Sequence, residues 1–124
     1  MNKIKKFDLE DRLISFSVLI IKIVESMPNT KTGVHLAGQL VRSGTSPALN
    51  YGEAQSAESR KDFIHKMKIS LKELRETYIC LRIISETKLY RSENIINEAF
   101  KENNELISIF VKSIETAQKN LIKE

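Results

Sequence analysis

Turn formers are scarce in this chain. Four glycines and two prolines in 124 residues supply too few turns for a many-stranded sheet, which favours a helical class. The single cysteine, Cys80, excludes an internal disulfide and suits a reducing cytoplasm, the expected location. Long apolar runs are also missing. The best candidate, Leu13–Val24, is interrupted by Lys22 and is too short and too charged to span a bilayer. It is preceded by Asp8, Glu10 and Asp11 and followed by no small-residue cleavage site, so it does not read as a secretory signal.

What remains is an ordinary globular composition. Hydrophobic residues make up 41% and charged residues 29%, enough for one domain over residues 1–124 to bury a core. The net charge is +4, and residues 59–90 alone hold 8 basic and 4 acidic side chains. The whole excess therefore sits in one segment.

Four periodic segments are predicted as helices, roughly 8–27, 32–57, 60–87 and 92–121. In the first, Leu9, Leu13, Phe16, Ile20, Ile23 and Met27 form a heptad seam after the acidic cap Asp8. The second carries Val34, Leu36, Leu40, Val41, Leu49 and Tyr51 and is interrupted by Gly44-Thr45-Ser46-Pro47. Proline lacks the helical N–H, so these residues alone read as a stop at Gly44 and a restart at Pro47, with one kinked helix as the alternative. The third opens on Ser59 and Asp62, a capping-box variant, and runs through Ile64, Met67, Leu71, Leu74, Tyr78 and Leu81. Ile69, Ile79, Ile83 and Ile84 lie off that seam and imply a second packing surface. The fourth starts at Ser92 and directs Ile96, Ala99, Leu106, Phe110, Ile114, Ala117 and Leu121 inward, with Asn103 as one polar member. Short connections make sequential helices antiparallel, so an all-α, up-down-up-down four-helix bundle is expected.

No catalytic constellation emerges. A di-iron bundle needs two Glu-x-x-His motifs, and this chain offers only Asp62-x-x-His65; neither a metal nor a cofactor is expected. Cys80 and His65 are separated by about 22 Å of helix and cannot act together within one chain. Glu53 and Glu73 could serve as paired carboxylates, but bonds to partners across helices account for them more simply. The clearest functional signal is on the third helix. At about 100° per residue, Lys61, Lys68, Lys72, Arg75 and Arg82 share one stripe about 32 Å long. Such a row can follow a phosphate backbone.

Residues 39–76 carry a family likeness. Gln39-Leu40-Val41-Arg42-Ser43, Ser46-Pro47-Ala48-Leu49-Asn50-Tyr51-Gly52-Glu53, Ser59-Arg60-Lys61-Asp62-Phe63 and Ser70-Leu71-Lys72-Glu73-Leu74 follow in order. This resembles the bacterial four helix bundle protein family, which includes proteins encoded in intervening sequences of ribosomal RNA genes and is related to the accessory protein of diversity-generating retroelements. The wider likeness spans roughly residues 7–120. Ala54 stands where the family usually has glycine, and Tyr51-Gly52 where an aliphatic residue and alanine are common. The resemblance implies one kinked second helix and a ring-like homopentamer. It also implies RNA or DNA and a reverse transcriptase or other nucleic-acid protein as partners. Arg42, Asn50, Glu53, Ser59 and Glu73 match family positions, and a structural role is expected for Asn50 and Glu53. The expected function is a non-enzymatic oligomeric bundle that binds nucleic acid electrostatically as an accessory factor. The alternative is a protein-interaction scaffold.

Overall fold

The computed structural model describes residues 8–123, so residues 1–7 and 124 of the expected 1–124 unit lie outside the described residues. Four helices occupy this span and no strand is present among the described residues: α1 Leu9–Glu25, α2 Lys31–Gln55, α3 Arg60–Glu86 and α4 Glu93–Lys123. They pack as a ring, each against its sequence neighbours, and α4 closes back on α1. Across the diagonal the backbones stay apart and large side chains meet in the core, Tyr51 of α2 packing edge-to-face on Phe110 of α4 at 6.1 Å between ring centroids, as expected when four helices surround one core.

Each helix begins where the sequence supplies an acceptor for its orphan N–H groups. The Asp8 carboxylate accepts from the Asp11 N–H at 3.2 Å, and the Thr30 hydroxyl from Gly33 at 3.0 Å. Ser59 accepts from Asp62 at 3.1 Å and Ser92 from Ile95 at 3.3 Å. Gly33 is obligatory for a steric reason as well, since a Cβ there would lie 2.1 Å from the Pro28 carbonyl oxygen. At the far end of α3, Lys88 adopts φ 56°, and the N–H groups of Leu89 and Lys88 donate to the carbonyls of Ile84 and Ser85. This is a Schellman closure with lysine in the position glycine usually fills.

The α1 seam is as its spacing predicts: Leu13, Phe16, Ile20 and Ile23 are buried, flanked by half-buried Leu9 and Met27. On α4, Ile96, Ala99, Leu106, Phe110, Ile114 and Ala117 are buried, while Leu121 is half-buried. Asn103 is fully buried among them; its Nδ2 donates to the Leu74 carbonyl at 3.2 Å and its Oδ1 has no partner among the described residues.

The two central helices depart from the pattern read in their sequences. α2 is one helix to Gln55 with Pro47 inside it, the single helix that the family resemblance implies and not the stop at Gly44 that its residues alone suggest. Only Leu40 of its larger apolar residues is buried, whereas Val34 is 58% and Leu49 70% exposed. The buried face consists instead of Gly33, Ser43, Gly44, Pro47 and Ala54, with Leu40. Small residues let the backbone approach its neighbours, and a Cβ on Gly44 would meet Ile20 Cγ2 at 2.8 Å. On α3 the expected Leu71 and Tyr78 are only half-buried, and Ser70, Thr77 and Ile84 take inward places beside Met67, Leu74 and Leu81. Met67, Leu74, Leu81 and Ser70, Thr77, Ile84 are two rows at seven-residue spacing, the geometry of a heptad interface.

Candidate nucleic-acid interface

The inner side of α3 fixes what its outer side presents. Ser70 Oγ donates to the Pro47 carbonyl at 3.3 Å. The Thr77 hydroxyl donates to the Glu73 carbonyl at 2.8 Å and shares a hydrogen bond with Ser43 Oγ at 3.0 Å. These contacts satisfy buried hydroxyls that would otherwise be costly, and they rotate α3 so that its charged residues divide between two directions.

One direction faces α2. Arg42 donates to Glu73 at 3.1 Å and to Glu76 at 3.0 Å, and Lys66 donates to Glu53 at 2.7 Å. The Arg42 guanidinium is held further above its ordinary value, chiefly by the hydrogen bond it donates to Glu76. Asn50 binds within its own helix, donating to Ser46 O at 3.1 Å and Ser46 Oγ at 2.9 Å. The five family-matching positions therefore lie along the α2–α3 seam: Arg42 with Glu73, Glu53 with Lys66, Asn50 beside Pro47, and Ser59 capping α3.

The other direction faces outward. Lys61, Lys68, Lys72, Arg75 and Arg82 are all exposed, as is His65. Arg82 is engaged by Glu86, with Nε to Oε2 at 3.0 Å, so its charge is offset. Lys61, Lys68, Lys72 and Arg75 hold no ion pair among the described residues. Glu73 and Glu76, which could have neutralised them, are turned toward Arg42. A shallow depression of about 430 Å³ runs between Lys68, Lys72, Arg75 and Ile79. The stripe thus has two parts: an unpaired basic stretch over its first half, then Ile79 and Ile83, 55% and 45% exposed, beside the Arg82–Glu86 pair.

The residues considered for catalysis are not brought together. Cys80 is buried, its Sγ donating to the Leu36 carbonyl at 3.8 Å, and burial pushes its thiol above the ordinary range. His65 is exposed. Among the described residues no three His, Cys, Asp or Glu side chains are close enough to hold a metal ion. No helix there is long and apolar enough to cross a membrane.

Comparison with known proteins adds the family. A model of the 23S rRNA-intervening sequence protein matches residues 5–112. The chain belongs to that family. No curated protein matches. Among solved structures, a protein of unknown function of the S23 ribosomal protein family from Bacteroides thetaiotaomicron is similar, with 30% identity and a TM-score of 0.78. The match covers 85% of this chain and 96% of that one. Neither the family description nor this neighbour names a reaction.

Sequence reasoning missed two features of this family member. The Ser70–Thr77 row was visible as two hydroxyl residues seven apart, but an apolar criterion passes over it. The ion pairs from Arg12 to Glu102 and Glu105, at 2.7 and 2.8 Å, join helices at opposite ends of the sequence and leave no local signal.

Proposed function

We propose that this protein is a non-enzymatic, oligomeric accessory factor that binds RNA or DNA through the outer face of α3. The observation that carries this reading is the run of Lys61, Lys68, Lys72 and Arg75, exposed and without ion pairs among the described residues. Each cation that neutralises a phosphate releases counterions, and the affinity gained is sequence-independent and steeply salt-dependent. Assembly into a homo-oligomer, a pentamer by the family resemblance, would repeat a +4 subunit and let weak contacts act together. Supporting self-assembly, α1 places Ile14, Val18 and Ile21 on its outward side at 48%, 47% and 42% exposure. Such a stripe is long for a helix that only faces water. A reverse transcriptase or another nucleic-acid protein is the partner class this reading favours.

The test is binding to a structured RNA and to duplex DNA across a salt series. Binding that weakens linearly on a double-logarithmic salt plot, and is lost when Lys68, Lys72 and Arg75 become glutamate, supports the proposal. Absence of binding at low salt overturns it. A protein-interaction scaffold is the second reading, favoured by exposed Ile79 and Ile83; partners retained after nuclease treatment would support it.

A further inference from the structure

The outer face of α3 changes character along its length, and the change limits what can lie on it. Lys68, Lys72, Arg75 and Ile79 follow at steps of four, three and four residues, so they form one row about 16 Å long. Ile79 is 55% exposed, in line with three cations that hold no ion pair among the described residues. The depression of about 430 Å³ along this row is lined almost wholly by carbon, from Leu71, Ile79 and the aliphatic stems of the three cations. Glu76 also borders it, but its carboxylate accepts from Arg42 at 3.0 Å. The row therefore offers an apolar floor within reach of three charged heads. One turn further on, Ile83 is 45% exposed beside Arg82, whose charge Glu86 offsets. A ligand that offered phosphates alone would have no use for the apolar end.

We infer that the nucleic acid taken by this face is single-stranded, with a base lying on Leu71 and Ile79 and the flanking phosphates at Lys68, Lys72 and Arg75. The inference rests on the nucleic-acid reading above and narrows its ligand. A duplex turns phosphates and sugars outward, and its base faces are stacked out of reach. Laid along this row, it would press phosphates against Ile79 and strip their water without a compensating bond. An unpaired strand presents base faces and phosphates together, which is the combination that the apolar floor and its cations match. RNA and DNA strands share that chemistry. Stacking platforms are usually aromatic; here the platform is aliphatic, so the base contact adds modestly to the attraction between charges and selects no sequence.

The full chain is titrated, by fluorescence anisotropy, into a labelled strand of about 20 nucleotides without self-complementarity and into the same strand annealed to its complement. Both forms are made in RNA and in DNA and followed across a salt series. At about 0.15 M salt each single strand should bind about tenfold tighter than its duplex. Ile79→Ser should weaken strand binding about fivefold, leave duplex binding unchanged and keep the salt slope, because no phosphate contact is lost. Lys72→Ala should instead lower the strand's slope by about 0.7. Ile79→Tyr should tighten strand binding about fivefold, a gain that damaged folding cannot produce. Duplex binding as tight as strand binding, or Ile79 variants that act equally on both forms, overturns the inference and leaves the nucleic-acid reading in place. Absence of binding by either form at low salt removes both. A fall in the mass of the Ile79→Ser protein by light scattering would assign Ile79 to a contact between copies and also overturns the inference.

Discussion

The two sides of α3 show how differently one helix can depend on its residues. Inward, Met67, Leu74 and Leu81 are fully buried, with Ser70 and Thr77 hydrogen-bonded to α2. Each side chain there is fixed by shape and partner. Outward, Lys61, Lys68, Lys72 and Arg75 touch nothing that would hold them in one conformation. The inner side should therefore govern stability and be indifferent to salt. The outer side should do the reverse, because exposed charges contribute little to folding and much to meeting a polyanion.

The strongest challenge to this contrast is a truncation within the core. Leu74→Ala should cost about 2–5 kcal/mol by urea unfolding; a cost as small as a surface change would mean the inner face is not the packed one. Gly44→Ala comes next, at about 1–3 kcal/mol, because the new Cβ must displace Ile20. The double variant with Ile20→Ala, which removes both γ carbons, should fall short of the sum of the two single losses by about 1 kcal/mol. Ser59→Ala removes the α3 cap and should cost about 1 kcal/mol. Lys88→Gly should act in the opposite direction and stabilise by about 0.5–1 kcal/mol, since glycine meets φ 56° without strain. The smallest change in stability belongs to the outer face. Glutamate at Lys68, Lys72 and Arg75 should shift unfolding by less than about 0.5 kcal/mol per site while abolishing nucleic-acid binding.

Cys80 gives a chemical measure of the same contrast. Burial raises the thiol above its ordinary range, so less thiolate is present at any given pH, and thiolate is the reactive form. Alkylation at pH 8 should be much slower than for a free thiol and should reach the free-thiol rate only in denaturant. Fast reaction in the native protein would show that this part of α3 opens.

The sequence was most readable where large apolar residues repeat every three or four positions. The α1 seam and the α4 series from Ile96 to Ala117 lie in the core because burying Leu, Ile and Phe dominates the energetics of those helices. It was least readable along α2 and inner α3, where closeness rather than apolar bulk decides what faces inward. Gly44, Ser43 and Pro47 read locally as a break, yet Ser43 and Pro47 meet α3 through hydrogen bonds and Gly44 makes room for Ile20 of α1. The breaking tendency of Pro47 is overridden by tertiary packing, with its carbonyl accepting from Ser70. The basic stripe was visible from spacing alone. Its division into an unpaired half and a paired end was not, because the choice of Glu73 and Glu76 between Arg42 and the outer cations is made across helices.

The α2–α3 seam also determines how far the two helices can slide. Ser70 and Thr77 are one heptad apart and chemically alike, so a slip of seven residues would present one hydroxyl where the other had been and leave the rows of the interface in phase. Hydroxyls alone would tolerate that error. The ion pairs would not, because the same slip carries Glu73 and Glu76 about 10 Å along the axis from Arg42 and Lys66 away from Glu53. Those pairs add little to the depth of the folded minimum, but they distinguish it from its nearest repeat, much as a key distinguishes between teeth of equal spacing.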